Sequence, residues 1–427
     1  MPTDSKSLIG RFFGRTSDPL LRNSFFLLMG AWANAGLGFV FWLLAANLYL
    51  PEDIGLATSI ISSIALIILI SRFGLDNSII RFYPTRDKAS LFGTSIVITT
   101  ASSVILAVIF ILGIGFFAPS LSSITSPLVF LLFLIFTVLH SIFWQASTAF
   151  LAARKANYYF YGFLINDSKI ILLLPLITLG AIGIFSAFGL ALVLSTIASI
   201  FFLAKVGIKV KLTVDKKFLR DSFVFSSSNY INQLLIWAPT LLLPIISLNS
   251  LGAADAAFYY IAYAIAAALY MIPTAISTSL FVEGSHGREL RLMISKSVKT
   301  TMLVLVPFAI LLFLFGNIIL GVIGPEYSSN GFDLLRVMLL AAFFVAIVQI
   351  GMSVMKVRNA NSHLIIISAW VFASLIISSL ILVGTMGLIG LGYSWLISYG
   401  SGSALLLVLL MRERGNRDGN DAVQSKS

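Results

Sequence analysis

Twelve apolar runs of about 20 residues leave this chain few ways to fold: 24–48, 54–71, 92–117, 127–152, 158–179, 185–204, 222–248, 256–282, 300–323, 332–355, 363–383 and 388–411. A helix rises 1.5 Å per residue, so about 20 residues cross the roughly 30 Å hydrocarbon core of a bilayer. In hydrocarbon each backbone N–H and C=O must find its partner within the segment, so the runs predict helices. Only 11% of the residues are charged, against about 25% in soluble domains. The expected class is an all-α, multi-pass integral membrane protein of about 12 transmembrane helices.

The cations set the orientation. All but two of the 28 Lys and Arg fall in alternate loops and at the two ends of the sequence. The opposite loops are short and carry Glu52, Asp53, Asp255, Glu326 and Asp333. By the positive-inside rule both ends face the cytoplasm. The net charge of +11 is then explained by anionic lipid on the inner face, and no nucleic acid is needed. The first 22 residues carry Lys6, Arg11, Arg15 and Arg22 ahead of a span too long for a signal peptide. RFFGRTSDPLLR (11–22) reads as an interfacial basic segment. There is no Cys, and three scattered His make a metal cluster unexpected.

The chain repeats itself. Arg154, Ala156 and Asn157 correspond to Arg358, Ala360 and Asn361 at an offset of 204, and the same offset carries Gly180 and Gly183 onto Gly384 and Gly387. Asn34 matches Asn232, and Asp53 lies near Asp255 in the pattern. Two halves follow: 1–208, an N-terminal six-helix lobe with an interfacial leading segment, and 209–427, a C-terminal six-helix lobe with a short cytoplasmic tail. Six spans is an even number, so the repeats are parallel. The basic stretch 205–222 is the expected cytoplasmic connection.

The order of motifs resembles a known family. A basic start and first span lead into PEDIGLA (51–57), a second span and RFGLDNSIIRFYP (72–84), and RNAN with a later Gly-rich turn follows at 358–392. This is similar to the Wzx-type oligosaccharide flippases, the polysaccharide-exporter branch of the MOP superfamily. The resemblance covers nearly the whole chain through loose motifs. It implies a V-shaped, two-lobed bundle with a central cavity, and a lipid-diphosphate-linked oligosaccharide moved from the cytoplasmic to the outer leaflet. Many members have fourteen spans, and this chain has twelve apolar runs. The related lipid II flippases carry charges in the first span; here that span has Trp32, Asn34 and Asn47 instead, which argues against lipid II.

Asp167 and Lys169 interrupt the fifth run. A charge in hydrocarbon costs roughly 3 kcal/mol and by default marks a pathway for substrate or ions. On a continuous helix positions i and i+2 point apart, so the two are expected to find separate partners. Through the repeat Asp167 lies over Val371 and Lys169 over Ala373, about 12 Å into the inner half of the bilayer. Lys169 suits a phosphate; Asp167 suits a sugar hydroxyl or a coupling cation. The plain alternative is a structural charge tied to a helix end. Asp76 and Arg81 are possible partners for them, and the Arg fork suits a diphosphate; an ordinary loop charge is the alternative. The seventh run combines Asn232 and Gln233 with Pro239 and Pro244, as a gate helix with amides facing sugar hydroxyls would; interhelical hydrogen bonds explain the amides equally. Asn34 and Trp32 would form the matching face of the first span. His140 could relay protons, though a His bonded to a neighbouring helix is the commoner case. Arg336, at the outer end of the tenth run, reads as a surface charge near Asp333 or Glu326.

No G-x-x-x-x-G-K-[ST] motif is present, so no P-loop ATPase is expected, and no Asp-x-Asp pair suggests a glycosyltransferase. The expectation is a non-enzymatic, monomeric flippase of the cell membrane. It would work with lipid-linked oligosaccharide, membrane lipids and other polysaccharide-assembly proteins, with no cofactor and with coupling to an H+ or Na+ gradient. A MATE-type cation or drug antiporter is the alternative within transport. A membrane-embedded glycosyl- or acyltransferase is the alternative from another class.

Overall fold

The computed structural model describes residues 19–124, 126–285, 289–358 and 360–424. Most of the basic segment 11–22 therefore lies outside the described residues, as does the side chain of Trp32. The rest is helical: α1 Pro19–Leu48, α2 Pro51–Ser71, α3 Leu75–Phe82, α4 Lys88–Leu112, α5 Pro127–Ala152, α6 Ala156–Asn166, α7 Gly180–Val206, α8 Lys216–Leu251, α9 Ala253–Ser285, α10 Leu290–Ile323, α11 Pro325–Val357, α12 Asn361–Met386 and α13 Leu388–Gln424. Ten helices among the described residues are long and apolar enough to cross a membrane. The first and fifth runs account for the remainder: α1 and the broken segment that starts with α6. The protein is thus a multi-pass membrane protein, as the apolar runs predict.

The described residues form two compact units. The first holds 19–45, 70–112 and 126–227; the second holds 46–69, 113–124 and 228–424. Residues 46–69 thus group with the second unit although they precede position 208.

In the first unit α5 packs against α4 and α7. Lipid tails are as apolar as leucine, so helices there associate through close packing and side-chain hydrogen bonds. Both occur. Phe136 meets Phe185 edge-on at 5.1 Å, and Gly189 leaves the room for it, since a methyl there would sit 1.9 Å from the Phe136 ring. Ser141 lies 3.3 Å from both Thr99 and Thr100, and Thr196 donates to the Leu139 carbonyl at 3.2 Å. At one end of the unit, Leu75, Ile79, Phe92, Phe150, Leu203 and Phe218 form a buried core. The basic connection is fastened here. Lys211 N donates to Ala89 O at 3.1 Å, Thr94 donates to Thr213 O at 2.9 Å, and Asp215 caps α8 by accepting from Phe218 N. Arg86 pairs with both Asp215 and Asp221.

The second unit is built on α11, which packs on α9, α10 and α13. An aromatic column, buried at Tyr259 and Trp395 and half-buried at its other members, runs from Tyr259 through Tyr263 and Trp395 to Tyr399, with Trp395 and Tyr399 stacked at 5.4 Å. Tyr270 places its hydroxyl on the Met338 carbonyl at 2.8 Å, so its polar end is satisfied in the interior. α8 remains helical through Pro239 and Pro244.

The repeat shows in the backbone, with one correction. Gly180 (φ 55, ψ −135) has its counterpart in Gly387 (φ 60, ψ −140), each at the start of a long helix. Gly183 and Gly390 likewise correspond: a methyl on either would run into the carbonyl of Leu176 or Leu382, at 2.1 and 2.4 Å. Gly384, matched to Gly180 by the constant offset, lies inside α12 with open space around it. The offset therefore grows from 204 at the R-x-A-N motifs to 207 at the glycines. The first half is three residues shorter between them.

Candidate functional site

That shortening falls where the fifth run stops being a helix. α6 ends at Asn166, and Asp167 and Ser168 form a turn. One helical turn covers Lys169–Leu172, and a 3₁₀ turn at Ile177–Leu179 leads into α7. Local chemistry accounts for the break. Asn, Asp and Ser side chains compete with the helical backbone. Pro175 follows, which cannot donate and crowds the preceding turn. At the matching positions α12 has Trp370, Val371 and Phe372; it contains no Pro and is continuous.

The break overturns the expectation that Asp167 and Lys169 point apart. The i, i+2 rule holds for a continuous helix, and at a turn it lapses. Lys169 Nζ lies 2.8 Å from Asp167 Oδ1, with the carboxylate side chain 2% exposed and the lysine 12%. The ammonium also sits 5.6 Å from the centre of the Phe41 ring. Asp167 Oδ2 has no hydrogen-bond partner, and neither has Ser168 Oγ beside it.

A second charge pair stands in the same unit. α2 ends at Ser71, and the chain reverses through Phe73 (φ 47) and Gly74 (φ 73) into α3. The turn brings Arg72 Nη1 to 3.2 Å from Asp76 Oδ2 and lays the guanidinium 4.5 Å above Trp144 of α5. Asp76 thus pairs with Arg72 rather than with the fifth run's charges. Arg81 is exposed at the end of α3, 5.8 Å from the Phe225 ring. His140, one turn before Trp144, packs against Phe188 and lies in electrostatic range of both Arg72 and Lys169. Its Nδ1 has no partner, and both amide atoms of buried Gln145 are likewise unmatched. One cluster in the first unit therefore holds two cations, an imidazole within electrostatic range of both, and spare hydrogen-bonding atoms.

Arg72 escaped the sequence reading because it stands one residue past an apolar run and counts as a loop charge. The available signal was its i, i+4 spacing to Asp76.

The remaining candidates are dispersed. Asn34 is exposed on α1. In the second unit Asn232 is buried and accepts from Ser368 at 2.7 Å, which ties α8 to α12. Gln233 beside it is half-buried. A small cavity lined by Ile236, Gln349, Met352, Ser368 and Tyr399 has room for about one water.

No family model matches the chain. A Shigella flexneri protein provisionally named an O-antigen transporter is 27% identical over 153 residues, which covers 35% of this chain and 37% of that relative's length. Two solved structures extend over most of it. The lipid II flippase MurJ, in an inward closed conformation, superposes with a TM-score of 0.73 at 16% identity, covering 90% of this chain and 87% of MurJ. An inward-facing multidrug resistance MATE family transporter of the MOP superfamily gives 0.70 at 15% identity, covering 90% and 95%. The resemblance carried by the sequence motifs thus extends to the fold: the chain is a multi-pass membrane protein with the architecture of MOP-superfamily transporters.

Proposed function

We propose that this protein is a flippase that moves a lipid-diphosphate-linked oligosaccharide from the cytoplasmic to the outer leaflet by alternating access. The observation that carries the reading is the buried cluster around Lys169 and Arg72. Each cation is paired with a carboxylate that a phosphate oxygen can replace. Arg72 keeps its planar fork oriented by Trp144, which suits two-point donation to a diphosphate. The released Asp167 can take a proton or cation, or accept a sugar hydroxyl. His140 lies where a proton would be felt by both cations. The partial match to a named O-antigen transporter supports the glycan as cargo.

The deciding experiment is a leaflet assay. In cells lacking this gene, the lipid-linked glycan should accumulate on the cytoplasmic face, protected from an impermeant periodate or lectin probe. Accumulation on the outer face would sink the proposal. A drug or cation antiporter is the second reading, favoured by the equally extensive MATE likeness. Raised drug sensitivity with normal glycan export would select it.

A further inference from the structure

Arg336 lies deeper than its sequence position implies. It follows Pro325, where α11 begins, by eleven residues, about 16 Å along the helix. α10 gives the same depth. The guanidinium stands 4.0 Å over Phe332 and 5.2 Å over Phe313, and Phe313 is about 15 Å from the end of α10. Two residues on, the Met338 carbonyl meets Tyr270 near the middle of α9. Arg336 therefore stands about 15 Å, half the thickness of a 30 Å core, from the ends at which α10 and α11 meet.

It is nevertheless open to the surroundings. The side chains of Arg336 and its ion-pair partner Asp333, at 3.6 Å, are 41% and 76% exposed. Toward the acidic end, the same helical face continues through exposed Asn330, Ser329 and Glu326. Asn330 Nδ2 donates to the Glu326 carbonyl and to Ser329. The neighbouring face of α10 differs: Leu311, Leu314, Ile318 and Val322 are exposed and wholly apolar. Hydrocarbon suits the α10 face and penalises the α11 face by roughly 3 kcal/mol for each charge. Such charges otherwise border water-filled space. A packed partner helix would call for a seam of small residues, and this face presents long polar ones. Carboxylate, amide, hydroxyl and guanidinium together match a carbohydrate bearing an anionic group.

We propose that the Glu326–Ser329–Asn330–Asp333–Arg336 face of α11 is a water-wetted track that binds the sugar portion of the cargo, with Arg336 holding an anionic group on it. The cargo assignment rests on the flippase reading; the wetting does not.

The chain has no Cys, so single substitutions report without background. S329C, N330C, D333C and R336C would be labelled by a water-soluble maleimide in opened membrane vesicles and compared with L314C and I318C. The expected result is labelling at least about tenfold faster along the α11 face. Rates as slow as those on α10 would overturn the track. S329C is nearly isosteric and keeps the test valid if the charge variants fail to insert. Labelling should then slow several-fold in membranes loaded with lipid-linked glycan relative to membranes from cells unable to start its synthesis. Unchanged rates would overturn sugar binding. A failed leaflet assay would refute the flippase reading while leaving fast labelling intact, so the two failures are distinguishable.

Discussion

Removing Lys169 should harm the protein in two separable ways. Its ammonium is the 2.8 Å partner of Asp167, whose side chain is 2% exposed. At an effective dielectric of 20, two charges about 4 Å apart attract by about 4 kcal/mol. Breaking a buried pair by deleting one member typically costs about 3–5 kcal/mol, because the other charge is stranded. Lys169→Met should therefore lower the unfolding temperature in nanodiscs clearly, and the amount of inserted protein with it. Asp167→Asn should cost less, since Lys169 is more exposed, rests on Phe41 and has a flexible stem that reaches toward the interface. The double variant D167N/K169M removes both charges and should recover to within about 1 kcal/mol of the parent, because replacing a buried pair outright is often neutral. Glycan export should fall in all three variants, including the stable double one. The refuting results are specific. A Lys169→Met protein as stable as the parent would show that the carboxylate is not stranded. Normal export by the double variant would make the pair a structural fastening.

Other substitutions test the geometry elsewhere. Arg72→Lys keeps the charge but loses the fork and the Trp144 face, and should cut export at least about tenfold at unchanged protein level; normal export would remove Arg72 from the site. Gly93→Ala would place a methyl 1.6 Å from the Lys211 carbonyl oxygen and lift the basic connection off α4. Trypsin should then cleave more readily at Lys209 and Lys211, and parental resistance would contradict the contact. Gly189→Ala collides with the Phe136 ring and should destabilise by about 1–3 kcal/mol, with Phe136→Leu as the second-site rescue. If Phe136→Leu fails to rescue, the two helices are not meeting at that point.

The spans were legible because lipid reads hydropathy directly, so 20 apolar residues announce a helix without any pattern of faces. The fifth run shows the limit. From Ile170 to Leu179 the composition stays apolar, and hydropathy cannot tell a turn from a helix in the same medium. The signal was Asn166-Asp167-Ser168 together with Pro175, residues that speak about backbone rather than polarity. Without that signal Asp167 and Lys169 take the diverging directions of a continuous helix, whereas the turn lets them pair. The glycine correspondence failed for the same reason: a constant offset presumes equal lengths, and the break absorbs three residues. Arg72 reads as a loop charge because the boundary of the second run follows the charge itself, whereas the exposed Asp333–Arg336 pair is as the sequence predicts. The helix start at Pro325 and the turn at Phe73 and Gly74 are backbone features, which a hydropathy profile does not contain.

The broken helix has an unbroken counterpart in the same chain. Interrupting a backbone ladder inside a bilayer leaves N–H and C=O groups that must find other partners. A chimera in which 156–179 is replaced by the α12 sequence would restore the ladder with a part the protein already carries, and would measure what the break contributes.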